Sequence, residues 1–390
     1  MAKKKAVTLS DGNLTESPAP PENDAPADAL APSNDERLHE MLMEIYDPTV
    51  VKKSAEAQRL IDAKKKLDVI LGLAPEGGHC RAFGTAPFGG ANIVGTEIHL
   101  KRREGLVTQE FCIVVYVKRK APEGTHVFGR IPSVVDDVPT DVVVVGNIHP
   151  HSTNCGGVVG GTPGTMGRAD GTIAAQVKCG ETGDAVFVLS NQHVLNPSGF
   201  DNNIQPGLRD VTAFGQKIAE LATWTDVDHP TVDAALAVVT NASLVSSQYL
   251  PTPTPPQPSM YHPGTFTLNP SPMSTSDVMA AAAQNNGRLV VKKLGNITGL
   301  TVGLLNPTPT AVDSTGEPQL GVAPRSFQQQ WMITSSTTGP FSFGGDSGSL
   351  IVDASTNRPV ALLWGGNGST VSYANQIELV ANVFGINRFL

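Results

Sequence analysis

Phe341-Ser342-Phe343-Gly344-Gly345-Asp346-Ser347-Gly348-Ser349-Leu350 is the stretch from which the rest of the chain is best read. It has the form of a serine nucleophile held in a tight glycine loop. Glycines on both sides let the backbone turn sharply, so that the N–H groups of Gly345 and Ser347 converge beside the hydroxyl, where an oxyanion would form. The apolar run from Ser349 to Val352 has strand character and would anchor the loop on rigid structure. A plain glycine-rich hairpin turn is the competing interpretation, and four residues cannot decide between the two.

A serine hydroxyl is a weak nucleophile unless a base takes its proton and an acid orients that base. All nine histidines (39, 79, 99, 126, 149, 151, 193, 229 and 262) precede Ser347, which excludes the Ser, Asp, His order of an α/β-hydrolase. His193 follows Val186-Phe187-Val188-Leu189-Ser190-Asn191-Gln192, where an apolar strand ends in a short polar turn. Further on, Thr231-Val232-Asp233 puts one carboxylate at the head of the apolar run Ala234 to Val239. A carboxylate buried there needs a hydrogen-bonding partner, and an imidazole N–H is a suitable one. Asp226 and Asp228 are rivals, but both lie in a polar loop.

His193, Asp233 and the Gly-Asp-Ser-Gly around Ser347 together resemble the trypsin/chymotrypsin-like serine peptidases. Leu189 to Leu195, Ile204-Gln205-Pro206-Gly207 and Gly295 to Gly303 resemble a subgroup with a long amino-terminal extension, found in bacteria and in plants, where it includes the narrow-leaf proteases. The resemblance implies a mainly β, double six-stranded antiparallel barrel, preceded here by a helical and α+β extension. It implies a first barrel at 156–240 holding His193 and Asp233, and a second at 289–390 holding Ser347. The separation of Asp233 from Ser347 is longer than the family commonly shows, which the Pro-rich 241–288 explains as an inserted linker. It further implies that Trp364, Gly365 and Gly366 pair with substrate backbone as an added strand. Phe341 stands where the family keeps the floor of its specificity pocket, and an apolar floor disfavours basic side chains. Neither a cofactor nor a metal is implied.

The composition is consistent with this. Of 390 residues, 40% are apolar, enough for a sizeable core, and 39 Gly with 30 Pro favour turns and strands over helices. A formal charge of -8 argues against nonspecific nucleic-acid binding. No apolar run approaches the roughly 20 residues that span a bilayer. The lysines at 3–5 are not followed by an apolar stretch, so export by a signal peptide is not expected. Cys80, Cys112, Cys155 and Cys179 lack metal-type spacing or a dense framework, which fits thiols in a reducing, cytoplasmic setting.

Along the chain, residues 1–34 are too polar to offset ordering entropy and predict a disordered tail. The next segment, 35–72, reads as two helices: one carries Leu38, Met41, Leu42 and Ile45, and the other spans Thr49 to Leu71 with Gly72 as its stop. They would pack on the neighbouring domain or mediate a homo-oligomer. Residues 73–150 read as a small α/β domain with strands at 93–101, 109–118 and 140–148. His149-Pro150-His151 with Cys155 has no obvious fourth metal ligand and is taken as a domain linker. Gly157 precedes Val158 where zymogen processing sites carry Lys or Arg, so activity without a cut there is expected. Asn375 to Gly385 reads as a short helix on the second barrel. The expected activity is a serine endopeptidase acting on protein or peptide substrates. A degenerate scaffold and a small-ester hydrolase are the alternatives.

Overall fold

The computed structural model describes residues 34–46, 50–71, 73, 92–103, 106–120, 131–150, 171–180, 184–196, 210–213, 216–242, 248–249, 266–315, 324–337 and 339–390. Residues 1–33 of the expected tail, Gly72, Cys80, His151, Cys155, the Val158 region, Ile204 to Gly207 and the prolines at 251–258 lie outside these residues, while Asn34, read as the end of the tail, belongs to the first helix.

Two helices open the described chain, α1 (Asn34–Tyr46) and α2 (Ala55–Leu71). The second starts later than the sequence suggested because the Ser54 hydroxyl accepts the Ala57 N–H at 3.1 Å and caps it there. Its buried Ala57, Leu60, Ala63, Leu67 and Leu71 recur at helical spacing and form one apolar stripe. That stripe packs with Leu38, Met41, Leu42 and Ile45 of α1 onto a sheet that begins with β1 (Ile93–Arg103) and β2 (Leu106–Val117). β3 (Val134–Val135) and β4 (Val138–Val144) follow, and β4 runs parallel to β2. The two-residue strand β5 (His149–Pro150) ends the extension.

A six-stranded sheet carries the residues before the linker. β6 (Ala175–Cys179), β7 (Phe187–Ser190), β8 (Asp210–Ala213), β9 (Gln216–Trp224) and β10 (Ala235–Val239) supply five strands, and α3 (Gln192–Leu195) hangs from the end of β7. Between the two main β assemblies come β11 (Gln248–Tyr249), β12 (Phe266–Thr267) and α4 (Thr275–Ala283). The remaining elements are β13 (Leu289–Gly295), β14 (Gly299–Ser314), β15 (Arg325–Ser335), β16 (Leu350–Asp353), β17 (Pro359–Gly366), β18 (Val371–Gln376), α5 (Ile377–Phe384) and β19 (Ile386–Phe389). Strands β13-β16-β17-β18-β15-β14 pair in that order, and β13 also pairs with β14, which closes the six into a barrel. The chain is thus mainly β, as its composition and motifs led one to expect.

Three boundaries differ from the sequence reading, each for a packing reason. The sixth strand of the first sheet is β19, paired with β6, so 156–240 does not complete that sheet alone. The helix before it, α5, buries Ile377 and Val380 in a cluster shared by both sheets, with Val177, Leu189, Leu350 and Leu362. Within 241–288, Ser274 and Asp277 form a capping box that starts α4, and Val278 and Ala282 enter the barrel core with Leu289 and Trp331, so 275–283 is core helix and not linker. The extension is not a separate domain either. Strands β14 and β15 run on beyond the barrel, and β1 pairs with β14 at Gly95↔Val312 and Thr96↔Ala311, giving one continuous sheet.

Gly95 makes that junction possible. A Cβ on it would lie 1.8 Å from the Ala311 carbonyl oxygen. Gly95→Ala is therefore expected to force β1 away from β14 and cost roughly 1–3 kcal/mol, the usual range for overpacking, read as a lower midpoint in denaturant unfolding.

Candidate active site

His193, Asp233 and Ser347 come from three separate segments and meet at one point. His193 sits on α3, just past β7, Asp233 just before β10, and Ser347 in the loop that leads into β16. The imidazole Nε2 lies 2.9 Å from Ser347 Oγ. On its other side Nδ1 contacts Asp233 Oδ2, and the His193 backbone N–H donates to Asp233 Oδ1 at 3.1 Å. A carboxylate at Nδ1 fixes the ring proton there and leaves Nε2 as the acceptor facing the hydroxyl. Ser347 Oγ also lies 2.9 Å from the Trp364 carbonyl, so its one proton has two acceptors. Ser347 and His193 are both 0% exposed.

The loop is built for this geometry. Gly345 and Gly348 adopt φ of 99° and 89°, where a side chain would be strained. A Cβ on Gly348 would also fall 2.0 Å from the Thr172 carbonyl oxygen. Thr172 docks the loop on the first sheet: its N–H donates to the Ser347 carbonyl at 2.7 Å and its hydroxyl to the Gly345 carbonyl at 3.0 Å. The amides of Gly345 and Ser347 find no acceptor among the described residues, as an oxyanion site requires.

Two buried carboxylates hold the site together, and each faces a cation that sequence reading missed. Burial pushes the Asp233 carboxyl up, but His193 beside it, through its ring and its backbone N–H, and the Arg325 guanidinium, with Nη1 at 3.5 Å, outweigh burial and hold the group at about 2. Asn375 accepts the Asp233 N–H at 3.0 Å, and Asn191 donates to its carbonyl at 2.7 Å. Gln330 bonds the Asn375 amide at 2.8 Å and the Trp364 indole N–H at 2.7 Å, so the wall behind Asp233 is one network. For Asp346, burial again acts upward. Lys293 Nζ at 3.3 Å, the Thr298 hydroxyl at 2.6 Å and the N–H groups of Phe343, Ile297 and Thr298 hold its carboxyl below the usual range. Burial pulls the Lys293 ammonium down while Asp346 resists it.

One of these cations was signalled. Leu289, Val291, Lys293 and Gly295 share the inward face of β13, so a lysine at that period demands a buried counter-charge. Arg325 opens β15 with no such pattern around it.

The substrate-binding expectations fare differently. Phe341 is 2% exposed and packs in the barrel core with Trp331, Ile333 and Leu363, so it is a core residue and not an open pocket floor. The Trp364 side chain is also buried, stacked beside Tyr373, and only its carbonyl reaches Ser347. Phe343 is the large apolar side chain that does face outward from the loop, half-exposed beside Gly368. Gly365 and Gly366 are the last residues of β17, and β5 is paired with them where substrate backbone was expected. Among the described residues no cluster of metal-ligating side chains occurs.

No known protein-family profile matches the chain, and no curated protein matches it in sequence. Solved structures do resemble it. A glutamic acid specific serine protease is 15% identical with a TM-score of 0.38, and the match covers 60% of this chain and 98% of that one. Nocardiopsis protease is 14% identical with a TM-score of 0.39, covering 60% and 97%. Thermobifida fusca protease A is 17% identical with a TM-score of 0.38, covering 60% and 98%. The fold described above rests on its own strand pairing and not on these likenesses.

Lys293→Met leaves Asp346 buried without its cation. The expected cost is about 3–5 kcal/mol near neutral pH, recovered in large part by adding Asp346→Asn. Because the unpaired carboxyl escapes by binding a proton, the deficit should shrink as pH falls toward about 4. Denaturant midpoints of wild type, single and double variants across pH check this.

Proposed function

We propose that the chain is a serine endopeptidase that works through an acyl-enzyme on Ser347. The observation that carries this is His193 Nε2 at 2.9 Å from Ser347 Oγ with Asp233 on the opposite ring nitrogen. Ser347 Oγ attacks the peptide carbonyl carbon as its proton passes to His193 Nε2. Asp233 balances the imidazolium, and the amides of Gly345 and Ser347 receive the oxyanion. His193 then protonates the leaving amine, and a water repeats the sequence to release the acyl group.

The membership of the subgroup with narrow-leaf proteases and the cytoplasmic setting belong to this proposal. So does independence from cleavage before Val158. In trypsin-like zymogens the amine freed by such a cut pairs with the Asp that precedes the nucleophile, here Asp346, and this Asp346 is already satisfied by Lys293, Thr298 and three backbone N–H groups, so a newly freed amine has no vacancy to fill. A second reading, hydrolysis of small acyl esters by the same groups, is favoured by the pairing of β5 with Gly365 and Gly366, where an extended substrate would lie.

Covalent labelling by a fluorophosphonate should mark wild type and be lost in Ser347→Ala. Loss in His193→Ala should match it, since the groups act as a unit. Cleavage of casein or of a peptide library separates the peptidase from the esterase. Absence of label on folded wild-type protein would refute both.

A further inference from the structure

β17 has two edges, and at Gly365 and Gly366 both are filled. On one side β18 pairs Tyr373 with Gly365 and Ser372 with Gly366. The other side is taken first by β16, through Leu362 and Ala361, then by the bonds Leu363 N–H to the Ser349 carbonyl and Gly348 N–H to the Leu363 carbonyl. Where that contact ends, β5 takes over antiparallel, with Pro150 opposite Gly365 and His149 opposite Gly366. Antiparallel ladders alternate hydrogen-bonded and non-bonded pairs. Proline has no N–H, so His149 and Gly366 are the pair that exchanges hydrogen bonds. The strand runs toward Trp364, whose carbonyl lies 2.9 Å from Ser347 Oγ. An extended peptide reaching Ser347 by strand addition needs this same edge.

The segment is anchored from both ends of its approach. The Ile148 carbonyl accepts the N–H of Thr315 at 3.1 Å and its hydroxyl at 3.0 Å, and Ile148 is fully buried. Further back, the Val145 carbonyl accepts from Asn367 at 2.7 Å, and the Val145 N–H donates to the Val117 carbonyl at 2.9 Å. Because the occupant is part of the chain, it competes at an effective concentration in the millimolar range for a short tether, which a dilute substrate does not match. The complete burial of Ser347 and His193 agrees with a closed edge.

We propose that His149–Pro150 is a resident pseudo-substrate strand, so that the chain is a latent peptidase whose peptide substrates must displace β5. This rests on the peptidase reading above. It predicts a penalty confined to substrates long enough to pair with β17, expressed in KM and not in the chemistry at Ser347.

The test compares wild type, His149→Pro and Thr315→Val in the full chain. His149→Pro removes the N–H that the ladder needs, and Thr315→Val removes the hydroxyl that holds Ile148. Each is expected to lower KM for an extended quenched-fluorescence peptide by about fivefold, the factor that one backbone hydrogen bond is worth. Turnover of a single-residue ester and the rate of fluorophosphonate labelling should stay at the wild-type value in both. Unchanged KM for the peptide in both labelled variants would overturn the resident strand and leave the peptidase standing. A wild type that takes no label would overturn the peptidase reading, and this inference with it. Thr315→Val decides the matter if His149→Pro loses ester activity through misfolding.

Discussion

A carboxylate removed from water stays ionised only if charges and hydrogen bonds replace its hydration, and the site depends on two such groups. Asp233 is answered by His193, Arg325 and the His193 backbone N–H, and Asp346 by Lys293, Thr298 and three backbone N–H groups. Arg325 opens β15 of the barrel while Asp233 precedes β10 of the other sheet, so the pair joins the two assemblies where the imidazole and hydroxyl must meet. Buried ion pairs seldom add much net stability. Here they fix which loop faces which, and a misplaced loop would leave a bare charge inside the protein.

The same logic explains the shape around the site. Thr172 bonds both ends of the Gly345 to Ser347 turn, and β19, which follows the barrel strands, supplies the sixth strand of the first sheet, so the two assemblies are joined in both directions. Strands β14 and β15 extend past the barrel and carry β1, β2 and β4, which deliver β5 to the edge of β17. The extension is thereby tied by backbone pairing to the strand whose Trp364 carbonyl lies beside Ser347.

Much of this was legible before any coordinates. The glycine loop, the strand ends bearing His193 and Asp233, and the order of the three residues pointed to one chemistry, because nucleophile, base and acid each need a distinctive local setting. Two further features carry a local signal although 241–288 reads as a linker from its prolines and Lys293 was not singled out: Ser274 and Asp277 have capping-box spacing at the start of α4, and Lys293 falls on the inward face of β13. Other features depend on neighbours remote in sequence. Nothing around Arg325 or Gln330 announces that it will face Asp233 or Trp364, and Phe341 becomes core only because β13 to β18 close around it. The pairing of His149–Pro150 with Gly365 and Gly366 was hidden for the same reason: a two-residue strand has no periodicity of its own.

The central claim is that His193 and Asp233 make the Ser347 hydroxyl a nucleophile that carries an acyl group. Pre-steady-state release of nitrophenol from a small activated ester measures this directly, since the ester does not need the β17 edge. A burst close to one equivalent per chain, followed by slower turnover, is the predicted result. Linear release with no burst, together with no acylated Ser347 in the intact-protein mass, would contradict it.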